Sequence, residues 1–376
     1  MFESYKPSNE KSNDNEKNAV ETTSIEGNEY TFQGLMERMK SFGLDYAKMA
    51  PLVLSLSACA TIERNETEVE QFEGESEYDA IPTEVARELE KNLGFTKEVA
   101  ELCHLRFDPE TVKGDIVNIA QIHRYSQYRY LHQYKENATP EVRKAIDPIV
   151  GLLDANQRAI YNIILEMNSS LDSGKKLTIM PEGYAEHDMH FLNSYRERVL
   201  KLKEDINSAE IERLPEFWNT LEIKEEVEAH YLLSEIIETI IARIQAEYGA
   251  EDMMSNEVQA LFMEIVNHPA RMNSAERSWH KGGALQTYFD GVTDMYPPET
   301  AENMKSIEFL TSSYSDILLE AFFEYQQQRD EEVMSNIEGQ QGVLVMGAFH
   351  RYPEYIYCLP KLPDGSNANY LDIFQP

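Results

Sequence analysis

The chain has 376 residues and is 42% hydrophobic, enough for one large domain or two ordinary ones with a sizeable core. Its 67 acidic against 34 basic residues leave a formal charge of -33, which argues against a nucleic-acid or anionic-membrane surface because both would repel it. Three cysteines, Cys59, Cys103 and Cys358, lie far apart without metal-type spacing and cannot build a disulfide framework, although one pair can form. No apolar run approaches the roughly 20 residues needed to span a bilayer.

Residues 1 to about 32 are rich in Asn, Glu, Lys and Ser and show no periodicity, so they bury too little area to offset their ordering entropy. Within the stretch that follows, "MAPLVLSLSAC" is preceded by Lys48 and ends in Leu56-Ser57-Ala58-Cys59. That tetrad resembles a bacterial lipoprotein lipobox, in which small residues fit a signal peptidase and the cysteine is acylated. The acidic stretch after it then reads as a tether. A signal peptide is N-terminal, so this reading requires translation from Met36 or Met39. It puts the protein in the cell envelope, with a lipid on Cys59 as its one membrane contact. The other reading is a short core or docking helix of a cytoplasmic protein, and both stay open. Residues 1–79 are taken as a disordered acidic segment and 80–376 as one domain.

From about residue 80 the pattern becomes regular. "IPTEVARELEKNLGF" and "TKEVAELCHLRF" read as short amphipathic helices. "DIVNIAQIHRY" (115–125) is a first apolar strand. A long helical region follows from Thr139 to Gly174, entered through Pro140 and kinked or divided at Pro148. "KKLTIMPEGY" (175–184) is a second strand. Strand, helix, strand makes a βαβ unit and so a parallel sheet. Residues from about 190 to 320 form a large helical insertion or cap, with "IKEEVEAHYLLSEIIETIIARIQAEYG" its clearest helix. A further helix leads into the strand "GVLVMGAFH" near the C-terminus. The expected class is α/β: a central sheet with parallel strands, flanking helices and a helical cap. No internal repeat and no Gly-rich phosphate loop is visible.

Three of these strands end in a polar group: Ile116–Ile122 in His123, Leu177–Met180 through Pro181 in Glu182, and Val343–Phe349 in His350. In an open parallel sheet the carboxyl ends of the strands share one edge, where ligands bind. The pattern therefore predicts that His123, Glu182 and His350 converge. Two imidazoles and a carboxylate can hold a divalent metal such as zinc or manganese with positions left open. They can equally activate a water as general base without metal.

Small-x-x-His at an early strand, Glu-Gly at the next, and Gly347-Ala348-Phe349-His350 at the last resemble the superfamily of TraB/PrgY, Tiki, erythromycin esterase and ChaN-type proteins. The helix before the last strand adds to the match, since TraB-like members carry Arg-Asp there and this chain has Gln328-Arg329-Asp330-Glu331-Glu332-Val333-Met334. The resemblance covers about residues 112–188 and 318–358. It departs at Ala120, where the family commonly has Gly. What it implies is a hydrolase, a peptidase or esterase acting on a peptide or small molecule, with a divalent metal (Mn, Co or Zn) on His123, Glu182 and His350. His123, Glu182, Arg329 and His350 would be the catalytic set, with Arg329 stabilising an oxyanion or holding Glu182, and Asp330 orienting Arg329 or a histidine. The ChaN branch implies a haem- or iron-binding lipoprotein instead. A non-catalytic scaffold of the same fold is the third reading.

Three further stretches carry chemistry-bearing residues. "EGYAEHDMHFL" groups Glu186, His187, Asp188 and His190 as a second metal candidate, against a helix start capped by Asp188. "HRYSQYRYLHQY" (123–134) offers tyrosines to a flat ligand such as haem, and His132 as an axial ligand; its plain reading is an amphipathic helical turn. "NSAERSWHKGG" (273–283) is a surface loop or a lid.

Overall fold

The structure is a computed structural model describing residues 77–122, 139–210, 239, 240, 242, 243, 246, 282–302, 318–347, 350 and 352–362. The segment with Cys59, the tyrosine-rich 123–134, most of the 223–249 helix and 273–281 lie outside the described residues. Among the described residues no helix is long and apolar enough to cross a membrane.

After a short turn at Glu77–Ala80, helix α1 (Thr83–Leu93) buries Leu89 and Leu93. It stops at Gly94, whose φ of 64° supplies the left-handed cap that returns its N–H to Glu90. Helix α2 (Lys97–Ala100) is capped by Thr96, whose hydroxyl accepts from Val99 N. The sequence reading carried a helix on through Arg106, and here the structure corrects it. Residues Cys103–Arg106 form strand β1, with Cys103 and Leu105 buried and the residues between them half-exposed. Pairing with a neighbouring strand overrides the local helical pattern.

Strand β2 (Ile116–Gln121), helix α3 (Pro140–Ser169) and strand β3 (Thr178–Pro181) make the expected unit, with α3 running through Pro148 without a break. Helix α4 (Met189–Ser208), helix α5 (Gly283–Phe289) and strand β4 (Asp294–Met295) are the described parts of the insertion. Helix α6 (Leu318–Asn336) then precedes strands β5 (Gly342–Gly347) and β6 (Ile356–Pro360).

The six strands form one mixed sheet in the order β1-β6-β2-β5-β3-β4, flanked by helices, so the protein is α/β. Every neighbouring pair is parallel except β1 with β6. β5 fills the gap between β2 and β3, in register Ile116↔Gly342 on one side and Ile179↔Val343 on the other. The insertion is not purely helical, because β4 returns from it to extend the sheet.

β2 and β5 are buried along their whole length, as strands covered on both faces must be. On one face Val117, Ile119, Ile179, Val343 and Val345 share a core with Ile160, Ile164 and Met167 of α3. On the other, Ile116, Met180, Leu344 and Met346 meet Val333 of α6, Ile337 just past its end, and Tyr352 and Tyr355 beyond β5. α6 thus lies against the face opposite α3. At the outer edge Cys103 and Cys358 form a disulfide between β1 and β6.

Candidate functional site

Parallel strands β2, β5 and β3 finish together, and their carboxyl ends carry the polar residues. Glu182 follows β3 directly. Its backbone N–H still donates to Val345 O at 2.9 Å, so strand pairing fixes where its side chain begins. Its Oε2 accepts from Gly347 N at 2.7 Å and from Gln121 Nε2 at 3.1 Å. The carboxylate therefore ties the end of β3 to the ends of β5, its neighbour, and of β2, one strand further along the sheet.

Arg329 reaches the same edge from α6. Its Nη1 lies 2.9 Å from Glu182 Oε1. Its Nε and Nη2 grip Glu299 in a two-pronged pair, at 3.0 Å to Oε2 and 2.6 Å to Oε1. Glu182, Glu299 and Arg329 are each only 3% exposed, so these are desolvated charges that need one another. Burial by itself pulls the Arg329 pKa down, but Glu182 and then Glu299 outweigh it and hold the guanidinium above its ordinary value.

His350 stands beside this pair. Its backbone is held by its own N–H to Gly347 O at 2.8 Å, and by Asn118 Nδ2, which donates to its carbonyl at 3.2 Å. The ring bonds Asp330 Oδ1 through Nδ1 at 2.6 Å, and its Nε2 lies 3.3 Å from Arg329 Nη1 and 3.7 Å from Glu182 Oε1. Chemistry fixes the tautomer. A carboxylate has no proton to give and a guanidinium has no lone pair, so in the neutral ring Nδ1 donates to Asp330 and Nε2 accepts from Arg329 Nη1. Tyr352 also donates to Asp330 Oδ1, at 3.0 Å. Burial first, and the Asp330 carboxylate second, push that phenol well above its ordinary range.

Glu182, Arg329 and His350 are thus brought together from β3, α6 and the end of β5. Asp330 orients His350 rather than Arg329. His123 lies outside the described residues, but the residue before it is clamped at both ends. Asn156 Oδ1 accepts from Ile122 N at 2.9 Å, and Gln157 Nε2 donates to Ile122 O at 3.3 Å. In the second metal candidate Asp188 caps a helix start, accepting from Ala185 N at 2.9 Å, and His187 is exposed.

Glu299 and Gln121 were not singled out from the sequence. Glu299 follows a strand of two residues inside the insertion, so no apolar run announces it. Gln121 sits within the first motif and looks like filler between Ala120 and His123. Its polarity on a fully buried strand was the available signal.

A divalent metal shared by Glu182 and His350 would have to displace these contacts. Both Glu182 oxygens are already engaged, His350 Nδ1 is bonded to Asp330, and the Arg329 guanidinium lies beside the remaining Nε2. A second cation there would meet the first. The described residues do not fit such a metal, and among them no cluster of three or more His, Cys, Asp or Glu is arranged to hold one.

What the arrangement offers is proton chemistry: a histidine with one nitrogen oriented by Asp330, the other facing Arg329, and a buried glutamate beside them. No protein-family model, no curated protein and no solved structure matches the chain.

Proposed function

We propose that the chain is a hydrolase of the kind its resemblance to Tiki proteins and erythromycin esterases implies, acting on a small ester or a peptide by acid–base chemistry without a bound metal. The observation that carries this reading is the His350 ring, with Nδ1 on Asp330 at 2.6 Å and Nε2 at 3.3 Å from Arg329 Nη1 and 3.7 Å from Glu182 Oε1. A carboxylate-oriented imidazole, its Nε2 lone pair held at rest by the 3.3 Å contact with Arg329 Nη1, takes a proton from a water and later returns it to the leaving group. In that cycle the water oxygen bonds to the acyl carbon, the bond to the leaving oxygen or nitrogen breaks, and the proton passes through Nε2. Asp330 stabilises the imidazolium formed midway. Arg329 Nη1 pairs with Glu182 Oε1 beside it, and His123, next along from the clamped Ile122, is the fourth candidate of the set.

A second reading has its own observation. Arg329, Glu182 and Glu299 satisfy one another in near-complete burial, which suits a scaffold whose charges only tie the sheet edge together. One experiment separates the two. The full chain is assayed with p-nitrophenyl acyl esters and a fluorogenic peptide mixture, in excess EDTA. The hydrolase reading expects turnover that survives EDTA and falls by about 10²–10⁴ in His350→Ala with unchanged circular dichroism. Turnover undiminished in His350→Ala would sink it, an inert wild type would favour the scaffold, and loss in EDTA would restore the metal.

A further inference from the structure

Arg329 would be a poor neighbour for His350 if it were free to turn. A guanidinium on a flexible stem, facing a carboxylate, ordinarily presents two nitrogens to two oxygens. Arg329 instead gives that two-pronged contact to Glu299 and leaves only Nη1 for Glu182 and His350. Glu299 is itself braced. Its backbone N–H donates to Tyr184 O at 3.3 Å, it stands opposite Ala185 in a parallel bridge, and its Oε1 accepts from Gly183 N. Residues 183–185 are the continuation of the chain that carries Glu182, so acid, arginine and second acid are set against one piece of backbone.

We propose that Glu299 is a positioning residue of the site: by holding Arg329 Nε and Nη2 it turns Nη1 alone toward the Glu182–His350 pair. The helical insertion, from which Glu299 returns, is by this route a part of the site as well as a cover for it. The role in turnover rests on the hydrolase reading; the role in geometry does not. With Glu299 neutral, Arg329 would be balanced by Glu182 alone, and the fork would swing to embrace Glu182 and leave Nε2.

The test uses the full chain, ¹⁵N-labelled, in wild-type and Glu299→Gln forms. Two-bond ¹H–¹⁵N spectra of the His350 ring should show a protonated Nδ1 in both proteins. The Nε2 resonance should move downfield in the variant as its contact with Nη1 is lost, and the slowly exchanging Arg329 Nε–H signal should disappear. A merely structural glutamate leaves Nε2 where it was. That result overturns the proposal. If Glu299→Gln does not fold, Glu299→Asp carries the test: its shorter arm drags the fork and shifts Nε2, and an unmoved Nε2 again overturns it. In turnover, Glu299→Gln should lower kcat by about 100-fold with little change in KM, as a misplaced group does, and Glu299→Asp should recover part of the loss. A wild type that hydrolyses nothing while Nε2 moves in the variant removes the hydrolase reading and supports the positioning.

Discussion

Tyr352 shows how one residue ties the site's chemistry to the stability of the fold. Its hydroxyl is buried and donates to Asp330, the residue that also holds His350, and both burial and the carboxylate keep its proton on. In the unfolded chain a tyrosine ionises near pH 10. The folded state therefore binds one more proton than the unfolded state above that pH, and stability falls as pH rises. Below about pH 10 this contribution is fully present; it is lost progressively toward the folded-state value. Tyr355, pushed up to about 12 by burial and then by Asp115, adds to the same trend. In Tyr352→Phe the loss should be shallower by up to about 1.4 kcal/mol per pH unit, measured as urea unfolding free energies at pH 9, 10 and 11. Equal slopes in the two proteins would show that Tyr352 does not keep its proton in the folded state.

At the scale of elements, α3 and α5 each carry a glycine, Gly151 and Gly283, with opposite demands. Where α5 crosses it, a Cβ on Gly283 would lie 2.0 Å from Gln157 O and 2.8 Å from Tyr161 N, both backbone atoms of α3. Gly283→Ala must push the helices apart and should cost about 1–3 kcal/mol. Gly151, inside α3, has nothing within 4 Å of the same added atom. Gly151→Ala should therefore stabilise by about 0.5–1 kcal/mol through helix propensity alone. Thermal midpoints of the two variants moving in the same direction would contradict this picture of the α3–α5 contact. Elements of this kind were legible in the sequence when they carried their own pattern. β2, β3 and β5 announced themselves as apolar runs ending in polar groups, and α1 and α3 as periodic stripes between a proline and a glycine. β1 did not, because only two of its positions face inward and the helical periodicity of α2 runs into it. β4 is too short to carry a pattern, and so Glu299 stayed hidden. The convergence of Glu182 with His350 could be read from strand order, whereas the second acid on Arg329 follows only from where the insertion returns.

For the whole molecule, the bridge between Cys103 and Cys358 closes a loop with a sequence separation of 255 residues, and both residues are fully buried. Removing a bridge of this kind typically costs about 2–5 kcal/mol, so Cys103→Ala/Cys358→Ala should unfold at clearly lower guanidinium concentration than the oxidised wild type. Oxidised protein, denatured without reductant, should expose one reactive thiol, that of Cys59, and all three cysteines only after reduction. Three thiols without reductant would mean that the pair stays reduced, as expected in a compartment where disulfides do not persist.

The place of β5 also sets the order in which the molecule can be made. Among the described strands it is the one common neighbour of β2 and β3, yet it follows both of them by more than a hundred residues. During synthesis the first strands leave the ribosome long before the strand that joins them exists. Until residue 347 emerges, β2 and β3 present unpaired edges, and Glu182 has no Gly347 N–H to receive. Folding of the sheet is therefore a late, long-range event, slow in the way that non-local strand pairing is. The nascent chain is exposed to wrong pairings for as long as the residues between β3 and β5 are being made. A strongly negative chain, repelling copies of itself on neighbouring ribosomes, is well suited to waiting in that state.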